Sequence, residues 1–183
     1  MAHRARPYSV ARRELLFQRQ RAETTALAVH DVMFERDYFL RLLKQLSALL
    51  AAILKLKREE KLDAALEQLQ GAFPPFFGIE YRTLVGFDSA SVAQLLVDST
   101  RIKILAQLLE EEADIHRRRV DVQLSAAKQL HALELYIEAA QRNPADSEVS
   151  AAILRLSSRA ELTDLGERYC QWLRSHPEIG ARR

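Results

Sequence analysis

The stretch "MFERDYFLRLLKQLSALLAAILKLK" (33–57) constrains this chain more than any other. It places Phe39, Leu42, Leu43, Leu46, Leu49, Leu50, Ile53, Leu54 and Leu56 at helical spacing. A period near 3.6 residues gathers these side chains along one side of an α-helix, whereas the period of a strand would split them between two faces. The stripe is broad, so the helix is expected to touch more than one neighbour. The rest of the chain agrees. Only 5 Gly and 5 Pro interrupt 183 residues, and the stretches between them are rich in Ala, Leu, Glu, Arg and Gln, which favour helix. No run of alternating β-branched residues stands out. The expected fold class is all-α, with six or seven helices.

Hydrophobic residues make up 48% and charged residues 28%, which is enough apolar surface for a packed core and too little net charge for a disordered chain. The longest apolar run, Leu46 to Leu54, has nine residues. A membrane span needs about 20, so this run predicts a buried helix and no span. Cys170 is the only cysteine, which rules out an intrachain disulfide and fits a reducing cytoplasm. The net charge of +2 is uneven: residues 1–32 carry +3 and the remainder −1. Nucleic acid is therefore not expected on the body, only through the arm.

Three readings compete for that basic arm, residues 1–32. It is a loosely packed extension upstream of a start at Met33, a helix lying on the body, or a segment touching phosphate or acidic lipid. The body, 33–176, reads as a single helical domain, and the tail 177–183 is expected to fray.

Beyond Leu56 the chain turns polar, "LKREEKLDAALEQL" (56–69). Helical spacing resumes at Leu62, with Ala65, Leu66, Leu69 and Ala72 on the new apolar face. Two helices joined by a short polar turn are the expectation. The order Leu49, Ala52, Ile53, Leu56, then Ala65, Leu69, Ala72 resembles the tetratricopeptide repeat, in which small residues let antiparallel helices approach closely. Two departures stand against it: Glu60 occupies the place where the turn usually has Gly, and Pro74–Pro75 interrupts the second helix. A single hairpin cannot bury its own face, so further helices must cover it.

The segment "GAFPPFFGIEYRTLVGFD" (71–88) breaks the regularity. Phe73, Phe76, Phe77 and Phe87 crowd into it. In one reading the rings fold back and plug one end of the core. In the other, Phe73, Phe76, Phe77 and Tyr81 line a groove for a peptide or an apolar ligand. Next, Asp88 or Ser89 suits the N-cap of a short helix, and Asp98 or Ser99 that of the following one. Helices near 100–118 and 120–142 form a second hairpin, with small residues at Ala113, Ser125 and Ala132. Gln129 falls where an apolar residue belongs, so its register against the first pair is poor. Asn143–Pro144 closes the hairpin. Asp146 caps a helix through Leu156, and Ser158-x-x-Glu161 has the spacing of a capping box for a last helix using Leu162, Leu165, Tyr169 and Trp172.

Few residues suggest chemistry. "EEEADIHRRR" (110–119) reads first as a solvated helix end with an Asp114–Arg118 pair, and second as an anion patch of Arg117, Arg118 and Arg119. Glu112 and His116 share a helix face, but no third or fourth metal ligand can be named. His131 reads as a packed histidine. Cys170 has no neighbouring base in sequence. Gly-rich phosphate loops, G-x-S-x-G and Cys-x-x-Cys are all missing, and no cofactor or catalytic residue is assigned.

The run 34–69, with Phe34-x-x-Asp37-Tyr38-x-x-Arg41 at its start and "ILAQLLEEEADI" (104–115) further on, looks like a bacterial family of small, all-helical, tetratricopeptide-like proteins with no assigned activity. The resemblance covers roughly 33–142. It transfers no activity and no site residues. The Asp37, Tyr38 and Arg41 cluster is a candidate anchor on a concave side. The leading expectation is an adaptor for a protein or peptide. The alternatives are a homodimer that uses the Leu46–Leu54 face and a small-ligand sensor with a Phe-rich pocket.

Overall fold

The computed structural model describes residues 40–158 and 162–177. The arm 1–32, Asp37, Tyr38, Glu161 and the tail from 178 onward lie outside the described residues. The chain divides into two compact units, Met1–Gln45 and Leu46–Arg183. Among the described residues every regular element is a helix.

Residues 40–58 form α1. Then come α2 (Leu62–Gly71), α3 (Phe73–Phe77), α4 (Tyr81–Leu84), α5 (Ser89–Leu96), α6 (Ser99–Arg118), α7 (Val122–Arg142) and α8 (Ser147–Ser157). A 3₁₀ turn over Leu162–Asp164 leads to α9 (Glu167–Ser175). This exceeds the expected number of helices because the Pro- and Phe-rich segment holds two short ones. Pro74 and Pro75 sit in the first turn of α3, where a missing N–H leaves no bond unmade. They do not interrupt α2, which has already ended at Gly71. Gly78 then ends α3 at φ +71°, a conformation that costs a side-chain-bearing residue.

Four aspartates start helices, three of them as expected and Asp121 in addition. Asp88, Asp98, Asp121 and Asp146 accept hydrogen bonds from the backbone N–H of Ser91, Arg101, Leu124 and Val149. Asn143 closes α7. The end of the chain departs from expectation. Ser158 is the C-cap of α8, and α9 begins only at Glu167, so Ser158 is not the N-cap of the last helix.

The pairs α1/α2 and α6/α7 are joined by the same turn. Glu60 N bonds Lys57 O and Lys61 N bonds Leu56 O; Val120 N bonds Arg117 O and Asp121 N bonds His116 O. The pivots, Glu60 at φ 55° and Val120 at φ 62°, both lie in the left-handed region where glycine is the default. The poor sequence register between the two pairs therefore hides a shared backbone path.

Named contacts give the helix directions within the unit from Leu46 onward. Helices α6 and α7 run antiparallel and come close enough for Ser125 Oγ to donate to Ala113 O at 2.9 Å. On one side of α6, Lys57 of α1 lies 2.6 Å from Glu111 and 2.6 Å from Asp114. On the other side, α8 runs parallel to α6: Lys103 meets Asp146 and Glu148, and Arg155 meets Glu110. Helix α9 runs parallel to α7, with Gly166 against Glu134 and Tyr169 against Glu138. Helix α5 also packs on α6 and α7. The core between these helices is Ile53, Leu69, Phe73, Leu84, Ile102, Leu105, Leu109, Ile115 and Leu133, all fully buried, with Ala65 and Ala113 where backbones approach closely.

Candidate functional site

The aromatic residues proposed as a groove do not line one. Phe73, Phe76 and Phe77 are buried, with Phe73 packed on Phe77 at 5.3 Å and edge-on to Tyr81 at 4.9 Å. They plug the core beneath α2. Phe87, the fourth ring, is exposed. Of the candidate aromatic set only Tyr81 reaches an open surface.

Arg117, Arg118 and Arg119 are each tied to a carboxylate of the chain. Arg117 and Arg118 hold Asp114, Arg118 also approaches Glu60, and Arg119 lies 3.1 Å from Asp63. Burial raises the Asp114 carboxyl, but hydrogen bonds from Lys57 and Arg117 outweigh it and bring the pKa down to about 2. Arg118 and Arg119 join α6 to the α1/α2 turn and the start of α2, while Arg117 stays on its own helix. Arg41 is exposed on α1. On the Leu46–Leu54 face, Leu46 and Ile53 are buried and Leu54 is exposed.

Tyr81 caps a polar cluster that sequence reading did not assemble. Its hydroxyl donates to Glu112 Oε1 and accepts from Lys128 Nζ at 2.7 Å. Lys128 Nζ also lies 3.2 Å from Glu112 Oε2, an ion pair outside hydrogen-bond geometry. His116 Nε2 is 3.7 Å from Oε1. Glu112 is 1% exposed, so this charge is affordable only because Lys128 sits against it. Burial and then the Glu112 carboxylate push the Tyr81 phenol far above its ordinary range, so it stays protonated and donates. The residues come from α4, α6 and α7, which explains why no sequence motif announced them. The available hint was an acid, Glu112, in the apolar phase of α6 between Leu109 and Ala113.

Two open clefts lie on this surface, the first bordered by Tyr81. The first, about 570 Å³, lies along α2 and α4 and is lined by Asp63, Leu66, Glu67, Gln70, Glu80 and Tyr81, with Arg82 at its edge. Gly71 also borders it, and a Cβ built there would meet nothing within 4 Å. The second, about 560 Å³, lies along the first half of α7 and is lined by Gln123, Ala126, Ala127, Leu130, His131 and Asp164, with Glu134 at its inner end. Val122, Gln123, Leu124, Ala126 and Ala127 are exposed there.

Glu134 explains where the second cleft stops. One oxygen accepts from Ser89 Oγ of α5 at 2.6 Å and the other from the Gly166 amide before α9 at 3.3 Å. His131, one turn back, is mostly buried, with Nε2 unpartnered. Burial, then the Lys128 charge, lower its pKa to about 4 despite Asp88, so at neutral pH the imidazole is uncharged. A second carboxylate, Glu138, is 3% exposed and is held by Arg142, Arg168 and Tyr169. Cys170 Sγ lies 3.5 Å from Leu165 O.

No group of three or more potential metal ligands occurs among the described residues. No helix among them is long and apolar enough to cross a membrane. No family model, curated protein or solved structure matches this chain.

Proposed function

We propose that this chain is a non-catalytic helical adaptor, working in the cytoplasm, that holds a segment of a protein or peptide against α2 and the first half of α7. The observation that carries the reading is a pair of open clefts, one bordered by Tyr81 along α2 and α4 and one along the first half of α7. Both combine apolar floor with polar wall, and the buried charges beneath them are already met from within the chain. Surfaces of that mixed character over a packed base whose charges are paired suit recognition of another chain.

The reading also takes α1/α2, α6/α7 and α8/α9 as tetratricopeptide-like hairpins, with α3–α5 inserted after the first. The shared turn at Glu60 and Val120 and the parallel run of α6 with α8 support it. Stacked hairpins expose long surfaces for partners, although fold by itself does not assign function.

Affinity capture with the full chain from native lysate, followed by sizing of the eluate, tests the adaptor reading. A stoichiometric protein partner is expected. A chain that elutes alone as a homodimer by light scattering would instead favour self-association.

A further inference from the structure

We infer that the cleft along α2 takes a basic segment of the partner, one that lays a Lys or Arg stem over Leu66 and the Tyr81 ring and brings its charge to Glu67 and Glu80. This rests on the adaptor reading and names the partner chemistry it requires.

The inference starts from the distribution of unmet charge. Among the described residues, Glu67, Glu80 and Asp164 are the carboxylates whose oxygens meet no cation, hydroxyl or amide. The others are held. Glu110, Glu111, Glu112, Asp114 and Glu138 meet cations of neighbouring helices or turns. Glu59, Glu60, Asp63, Asp146, Glu148 and Glu167 also meet cations. Asp88, Asp98 and Asp121 cap helices, and Glu134 holds Ser89 and Gly166. All three unmet carboxylates line the two clefts, and two of them face the same one. Elsewhere among the described residues the acids are engaged; here they are left open on the walls of a concave surface.

The floor selects the kind of cation. Leu66 and the Tyr81 ring offer apolar contact for a long aliphatic stem, and the missing side chain at Gly71 leaves room for it. Lys and Arg combine such a stem with a charged head; Lys128 Nζ, 5.0 Å from the Tyr81 ring centroid, already takes the cation–π contact there, so the ring offers the stem apolar contact only. Tyr81 is fixed for this role by its bonds to Glu112 and Lys128. Asp63 adds little because Arg119 already meets it. Arg82 lines the same cleft and offsets one of the acids, and two unmet carboxylates against one arginine leave the cleft negative. A fully acidic partner is therefore disfavoured by like charge, and charge complementarity chooses the basic one.

The test is selection from random peptides displayed on phage, panned in parallel on the full chain and on its Glu67→Gln/Glu80→Gln variant. These side chains touch nothing that holds the fold, so the variant should melt with the parent. Lys- and Arg-rich sequences should be enriched on the parent, and their affinity should fall about tenfold or more on the variant and weaken with added salt. Enriched sequences without basic residues, or basic ones bound equally by both chains, would overturn this inference and leave the adaptor reading standing. No enrichment on either chain would overturn both.

Discussion

The outward stripe of α6 and the cleft along α2 use the same residue types to opposite ends. On α6, Lys103, Glu110, Glu111 and Asp114 are all engaged across helices, with α8 on one side and α1 on the other. In the cleft along α2 and α4, Glu67 and Glu80 form no ion pair, although Arg82 lines the same cleft. The first surface holds the helices together and the second is left for something outside the chain. A charge run on a helix therefore has no fixed meaning; what decides it is whether a neighbouring helix of the same chain brings the opposite charge.

The largest effects should come from beneath the clefts. Phe73→Ala removes a fully buried ring from the plug under Tyr81 and should cost about 3–5 kcal/mol, read from urea unfolding. Glu112→Ala should cost somewhat less, ~2–4 kcal/mol, because the half-buried Lys128 then loses its carboxylate and the Tyr81 hydroxyl its acceptor. A loss below about 1 kcal/mol for either would mean that the cluster does not fix the floor of the α2 cleft.

Acid should act next, and the direction follows from two groups. His131 has a folded pKa of about 4, below its ordinary 6.5, so the unfolded chain binds its proton first. Stability should fall by ~1–3 kcal/mol as pH drops from about 6.5 to 4, and His131→Leu should flatten that slope. Asp114, depressed from 3.8 to about 2, contributes stability that is present above the higher value and is lost as pH falls through the lower. Unfolding midpoints measured against pH, in the parent and in His131→Leu, separate the two windows.

The smallest effect is a gain. Val120 is 81% exposed and holds a left-handed turn that a β-branched residue adopts at a cost. Val120→Gly should stabilise by ~0.5–1 kcal/mol in thermal or urea unfolding, since the relieved strain exceeds the entropy that glycine adds to the unfolded chain. Destabilisation would show that the shared hairpin turn does not pivot there.

Much of the fold was legible in the chain. The all-α class, the aspartate caps at Asp88, Asp98 and Asp146, and the Asp114–Arg118 pair follow from local rules, and local contacts made them. The plugging role of Phe73, Phe76 and Phe77 was one of two readings open from composition, and only their burial decides it. The candidate site was scarcely legible. Of the described residues picked out as a candidate binding surface, Tyr81 is the one that lies at it; its partners Glu112, noticed only beside His116, and Lys128 stand 31 and 47 residues away. A cluster gathered from three helices leaves no spacing to read. Nor does a sequence show which acids go unpaired, because pairing is set by tertiary neighbours: Glu111 finds Lys57, while Glu67 finds nothing.

The contrast between the two surfaces is tested most directly by a photo-cross-linking amino acid placed at Gln70, in the α2 cleft, or at Gln107, on the outward stripe of α6. Illumination in native lysate should yield one discrete partner adduct from position 70 and none from position 107. An adduct from position 107 with none from position 70 would put the binding surface on the stripe and contradict the account.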